Sequence, residues 1–179
     1  MKNLPSQVQA LINQPQYDNI ADNIVSSSNI RALCATVKNA NPAYWSIDAA
    51  NQIAGAEIAP AAMLSTWTRP ERWSPDRQTE FNSLQLHYDL KHLLDYPSAI
   101  ISSFESVFHA PVKVGDRLRS HQTLRSISDE KTTRLGRGRF WQIEVQYLNQ
   151  LNELVGEELF NCYGYCKPTP SRDSETSAP

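Results

Sequence analysis

No excess of positive charge is present. Lys and Arg number 17 against 19 Asp and Glu, a formal net charge of −2, so no global field draws the chain onto DNA, RNA or an anionic membrane and any polyanion site must be local. Long apolar runs are missing as well. No stretch reaches the length of a membrane span, and Met1-Lys2-Asn3-Leu4-Pro5-Ser6-Gln7 has no apolar signal core behind its lysine, so a soluble cytoplasmic protein is expected. Cysteine is scarce, with only Cys34, Cys162 and Cys166. An odd number without a secretory signal points to reduced thiols. On one strand, Cys162 and Cys166 would lie roughly 13 Å apart at about 3.3 Å per residue, beyond the ~7 Å Cα separation a disulfide tolerates. No His or Cys stands close by in sequence to complete a metal set, so no metal is expected and these thiols read as buried filler. No internal repeat is found.

What is present suits one α+β domain. Hydrophobic residues make up 40% of 179 positions, enough for a single core. The first third reads as helix: Leu4, Val8, Leu11 and Ile12 share one face, and Ile20, Ile24, Ile30, Leu33, Cys34 and Val37 form a second stripe. Asn39-Ala40-Asn41-Pro42 stops it, since proline disfavours helical geometry at Asn41. Ser46 and Gly55 bracket a short capped helix over 47–54. Ile58 to Trp67, with Pro60 at a favoured first helical position, reads as a helix apolar nearly all round and therefore buried. Between Thr68 and Tyr96 prolines break the pattern, apart from a short helical candidate near Tyr88 to Leu94, and so long a connection is often a lid or binding loop.

The period then changes. Trp141, Ile143, Val145 and Tyr147 alternate with Gln142, Glu144 and Gln146, a strand with one face buried. Asn149 to Asn152 turns the chain, and Leu154 to Cys166 returns as an aromatic-rich strand. Ala99 to Ala110 and Arg117 to Ile127 are two further strands, giving an antiparallel meander. The domain is placed at 1–167, and the polar, proline-bearing tail 168–179 is expected to be disordered.

Three stretches, taken in order, resemble the MaoC-like branch of the hot-dog superfamily, in which an antiparallel sheet wraps a central helix. The resemblance covers roughly Ser28 to Lys167. Asn39-Ala40-Asn41-Pro42-Ala43-Tyr44 is similar to the D-x-N-P-x-H signature of R-specific enoyl-CoA hydratases. Ile58-Ala59-Pro60-Ala61-Ala62-Met63-Leu64 resembles the entry to the central helix. Pro111 to Asp116 and Lys131 to Phe140 resemble the non-catalytic halves of heteromeric hydratases, including those of steroid side-chain breakdown.

The departure from the signature bears on chemistry. Hydrating an enoyl thioester needs a base to take a proton from water and an acid to supply one to the α-carbon, the roles of the family's Asp and His. Asn39 and Tyr44 stand there instead. An amide exchanges no protons near neutral pH, and a phenol of pKa about 10 is a poor substitute. No catalytic residue is therefore assigned to this chain. Asp48, His87, His92, His109 and His121 are read as surface or core residues.

The resemblance implies an acyl pocket lined by Pro60, Ala61, Met63 and Trp67, with Ala61 where the family has a glycine whose amide faces the thioester oxygen. Trp67 and Trp73 would frame a wide site, and a steroid-type acyl group follows by analogy alone. Lys131, Arg134, Arg137 and Arg139 are candidates for the phosphates of coenzyme A, which enters as part of the substrate; no separate cofactor is expected. The same charges also fit a solvated hairpin end. The implied partner is a second hot-dog chain with intact Asp and His. Two alternatives remain open: a hot-dog thioesterase using Glu57 or Asp48, and a non-enzymatic acyl-CoA-binding scaffold.

Overall fold

A computed structural model describes residues 4–69, 75 and 82–168. Trp73 and nearly all of the expected tail lie outside the described residues.

The N-terminal third is less helical than its periodicity suggests. Helix α1, Ser6–Leu11, buries Val8. Pro15–Ile20 is not helix but an edge strand, β1, pairing antiparallel with β3 (Arg119–Ile127) around an irregularity between Gln16 and Asn19. Ile20 is consequently 59% exposed, and the second apolar stripe begins only at Ile30. Proline at the first position of an edge strand forfeits no ladder bond, and the unpaired side of β3 supplies partners that an isolated helix would lack. Helix α2, Ser27–Thr36, is capped by Ser26 Oγ, which accepts from Asn29 N–H at 3.4 Å, and buries Ile30 and Cys34. It ends ahead of the Asn-Pro segment, with Lys38 left-handed at φ 56°. Helix α3, Ile47–Ala54, has the expected caps: Ser46 Oγ accepts from Ala49 N–H, and Gly55 sits at φ 71°.

The central helix, Ala61–Thr68, is a 3₁₀ helix, and Pro60 precedes it as the capping residue rather than occupying its first turn. Met63, Leu64 and Trp67 face the core, whereas Ala61 and Ala62 are exposed. Burial on all sides is therefore corrected to burial on one face. Helix α4, Gln85–Leu93, begins three residues before the expected segment and buries Leu86, His87 and Leu90.

Six antiparallel strands form one sheet in the order β1-β3-β5-β6-β2, with the short β4, Lys131–Thr133, paired to the start of β5. Strands β5 (Gly136–Leu148) and β6 (Leu154–Cys166) match the expected hairpin. Along β5 the residues Trp141, Ile143, Val145 and Tyr147 are buried while Gln142, Glu144 and Gln146 are half-buried. The simple meander is corrected at β2, Ser98–Phe108, which pairs with β6 at the far edge and not with β3. The cause lies in 111–118. Instead of turning back as a hairpin, this segment bonds to other loops: Ala59 N–H to Val112 O, Val114 N–H to Glu57 O and Val25 N–H to Asp116 O. Its Val112 and Leu118 are buried in the core.

The result is the hot-dog arrangement, a sheet carrying the central helix on one face. A glycine permits the close approach: a Cβ built on Gly156 would lie 2.6 Å from Leu64 Cδ2 and 2.9 Å from the Val107 carbonyl oxygen, inside any real contact, so a larger residue there would have to displace the Leu64 side chain and the β2 backbone. Among the described residues no helix is long and apolar enough to cross a membrane. Cys34 and Cys162 are buried, Cys166 at the end of β6 is exposed and so is not the buried filler expected of it, and all three thiols are free. Burial pushes the Cys162 thiol up to about 12, so it packs as an inert group.

Candidate functional site

The signature loop holds itself in shape. Asn39 Oδ1 accepts from Asn41 N–H at 3.0 Å, Asn41 Oδ1 accepts from Ala43 N–H at 3.0 Å, and Trp45 Nε1–H donates to Asn39 O at 2.7 Å. These are turn-building bonds of the kind Asn side chains form. They bring half-buried Tyr44 to a cleft of about 310 Å³ shared with Ala61, Leu64, Phe108, His109 and Val155. Asn39 does not line this cleft.

The groups that could replace the lost pair are mostly elsewhere. Asp48 is exposed in the first turn of α3 and His92 is exposed on α4. His121 Nε2 lies 3.1 Å from Gln146 Oε1. Glu57 accepts a hydrogen bond from Ser27 Oγ at 3.2 Å, which ties it to α2. His109 is the exception that sequence reading missed. It lines the Tyr44 cleft, and its Nε2 lies 3.6 Å from Glu157 Oε1 in a pair open to solvent. Only the crossover of β2 to the far edge brings it there, and its spacing from Tyr44 carries no signal of that.

His87 is buried beneath α4 with its ring 5.5 Å from that of Trp141. Burial, and then the charge of Lys91, hold its imidazole below the usual range. A depressed folded-state value means that His87 contributes stability fully present above its unfolded pKa of about 6.5 and lost as pH falls through the folded value. Melting temperature should therefore drop on acidification from pH 7 to pH 5, and the drop should be shallower for His87→Gln. Equal slopes would place the acid sensitivity elsewhere.

Of the four residues expected to contact an acyl group, Met63 and Trp67 point into the core and Pro60 is buried, while Ala61 lines both the Tyr44 cleft and a second, wider trough. This trough, about 560 Å³, runs between the exposed face of the central helix and β2, with Ala62, Phe104, Phe108 and Phe160 along it. A register irregularity between Ile101 and Ser103 turns both Ile101 and Phe104 to the helix side. Phe104 is 61% exposed, and Ile100, Ile101, Val107 and Phe108 of the same strand are exposed too. Because β2 is an edge of the sheet, it presents apolar side chains together with unpaired backbone groups, a ready template for a second chain.

The four cations do not share one face. Lys131 Nζ lies 5.8 Å over the Phe140 ring on the outer side. Arg137, on the helix side, pairs with Glu130 at 2.5 Å and is largely exposed. Arg139 is buried and donates to Ser128 O at 2.8 Å. Arg134 is exposed in the β4–β5 turn. Ten residue-to-residue steps along β5 separate Arg137 from Tyr147 at its cleft end, a span of roughly 33 Å.

Comparison with known proteins agrees with this architecture. The family described as FAS1-like, dehydratase domain region matches residues 16–158. A probable enoyl-CoA hydratase alpha subunit of Thermomonospora curvata is 31% identical over 135 residues, covering 72% of this chain and 41% of the relative. The chain thus spans well under half the length of that curated relative. Among solved structures, a chain of the ChsH1-ChsH2 complex from Mycobacterium tuberculosis superimposes with a TM-score of 0.73 at 21% identity, covering 92% of this chain and 91% of that one. The MaoC-like dehydratase from Rhodospirillum rubrum superimposes with a TM-score of 0.59 at 16% identity, covering 88% and 94%.

Proposed function

We propose, from the premise that this chain belongs to the FAS1-like dehydratase family of MaoC-like hot-dog proteins, that it is the non-catalytic subunit of a heteromeric 2-enoyl-CoA hydratase. The observation that carries the reading is the edge strand β2, whose large exposed side chains border a trough beside a signature loop without its acid and base. The relative's name, an alpha subunit, and the two-component neighbouring complex support a second chain. That partner, a hot-dog chain with intact Asp and His, would move the protons. This chain would complete the wall of the acyl site with Ala61, Ala62 and Phe104, and the width of the trough suits a bulky, steroid-type acyl group.

Edge pairing also gives the distant cations a role. If β2 pairs antiparallel with the matching strand of a hot-dog partner, the Ser98 end of this chain's β2 lies beside the partner's cleft end. Lys131, Arg134 and Arg137 stand at that same end, because Arg137 neighbours Cys166 and Ser98 neighbours Tyr165 in the sheet. Lys131 and Arg134 are then available to phosphates of coenzyme A bound at the partner's site, while Arg137 is paired with Glu130 and Arg139 is held by its carbonyl contact. The test is association. Phe104→Glu should weaken binding to a coexpressed catalytic hot-dog chain by about 2 kcal/mol, roughly 30-fold in Kd, as for a central aromatic anchor. Undiminished binding by this variant would remove β2 as the interface.

A further inference from the structure

A polar cavity opens off the apolar trough. Its volume is about 190 Å³, and it shares Ser65, Arg69, Ile101, Glu158 and Phe160 with the trough wall. Part of its polar lining is already occupied. Asn19 Nδ2–H donates to Thr68 O at 2.7 Å, and Gln122 Oε1 accepts from Leu86 N–H at 2.9 Å. Glu158 differs. It is 8% exposed, and its Oε2 accepts from the Tyr147 hydroxyl at 2.9 Å. Among the described residues no donor is placed on its Oε1. A carboxyl group offers about four lone-pair sites, so Glu158 keeps acceptor capacity for a further donor on the cavity side.

We propose that Glu158 and Tyr147 form a polar checkpoint that receives a hydroxyl-bearing end of the acyl group, a reading that rests on the acyl-CoA assignment above. The trough holds a broad apolar body against Ile101, Phe104 and Phe160, and the body's hydroxyl donates to Glu158 in the cavity beyond. Charge narrows the choice of ligand group. Arg69 lines both spaces and disfavours a cation, and Glu158 disfavours a carboxylate, which leaves a neutral donor. Tyr147 holds the arrangement rigid: it is hydrogen-bonded to Ser65 of the central helix, and burial pushes its phenol up, so it stays a donor to Glu158. The pair spans adjacent strands, since Val145 and Tyr147 of β5 face Glu158 and Gly156 of β6.

The test is the binding preference between matched thioesters, measured by calorimetry on the full chain, both alone and with any hot-dog chain that copurifies. The probes are cholanoyl-CoA without ring hydroxyls, its mono-, di- and trihydroxylated analogues, octanoyl-CoA and free coenzyme A. At least one hydroxylated analogue should bind about tenfold more tightly than cholanoyl-CoA, the scale of one charge-assisted hydrogen bond. Glu158→Met should bring that preference to within about twofold, and Glu158→Gln should reduce it at least about threefold. Each preference is a ratio within one variant, so a partly folded sample does not distort it, and Glu158→Gln decides the matter if Glu158→Met does not fold. Equal binding by the native protein, or a preference that survives either substitution, overturns the checkpoint. Binding of octanoyl-CoA with no binding of any cholanoyl thioester overturns it while leaving the acyl-CoA assignment in place. If no thioester binds better than free coenzyme A, both fall.

Discussion

Purified without a catalytic partner, the chain should hydrate a 2-enoyl-CoA about a thousandfold more slowly than the paired enzyme, within the 10²–10⁴ range that a positioned acid or base contributes. The physical cause is the Asn39 and Tyr44 substitution. Asn39 is engaged in turn bonds and does not line the cleft, and Tyr44 lines it with a phenol. His109 brings an imidazole to the same cleft, so the experiment includes His109→Ala. If the isolated chain turns over at a rate comparable to the pair and His109→Ala abolishes that turnover, the acid-base chemistry belongs here and the division of labour is wrong. Asn39→Asp combined with Tyr44→His is a complementary test, because it restores the signature without altering the rest of the loop. A rise in the isolated chain's rate would show that the cleft itself is still competent.

How much of this was readable beforehand differs by element. The β5–β6 hairpin was legible because strict alternation from Trp141 to Tyr147 and the Asn149–Asn152 turn are local signals. Helix α3 announced itself through Ser46 and Gly55, each a cap with a specific backbone consequence. β1 was not legible, since Ile20 and Ile24 satisfy helical spacing and only the free edge of β3 decides otherwise. The placement of β2 was hidden for a similar reason. Its hydrophobic content marks a strand but not which neighbour it joins, and the hydrogen bonds of 111–118 that prevent a hairpin come from Val25, Glu57 and Ala59, far away in sequence. The signature loop could be compared residue by residue, so the missing acid and base were visible at once. The grouping of Glu158 with Tyr147 could not be seen, because it depends on the β5–β6 register and on a cavity left beside the central helix.

Trp141→Ala should cost about 3–5 kcal/mol of folding stability, the range for removing a large buried aromatic, and lower Tm by roughly 10 °C or more. Trp141 is 2% exposed and centred in the core, stacked on Tyr96 at 6.5 Å and tilted against His87 at 5.5 Å between ring centroids. It therefore joins the sheet to α4 and to the segment that follows it. Its seat on β6 is a glycine: a Cβ built on Gly164 would lie 2.3 Å from Trp141 Cη2. Gly164→Val should thus destabilise by displacing the same indole, typically by about 1–3 kcal/mol for overpacking. Urea denaturation of both variants checks the pair. A loss below about 1 kcal/mol for Trp141→Ala would mean that the core tolerates the cavity and that α4 is anchored elsewhere.

The most direct measurement is the kcat of the reconstituted pair with Asn39→Ala and Tyr44→Phe introduced together into this chain. With proton transfer assigned to the partner, kcat should stay within about twofold of the unsubstituted pair, since neither group takes part in the chemical step. A fall of about a hundredfold, the scale of a lost acid or base, would contradict that assignment and return catalysis to this chain's own loop.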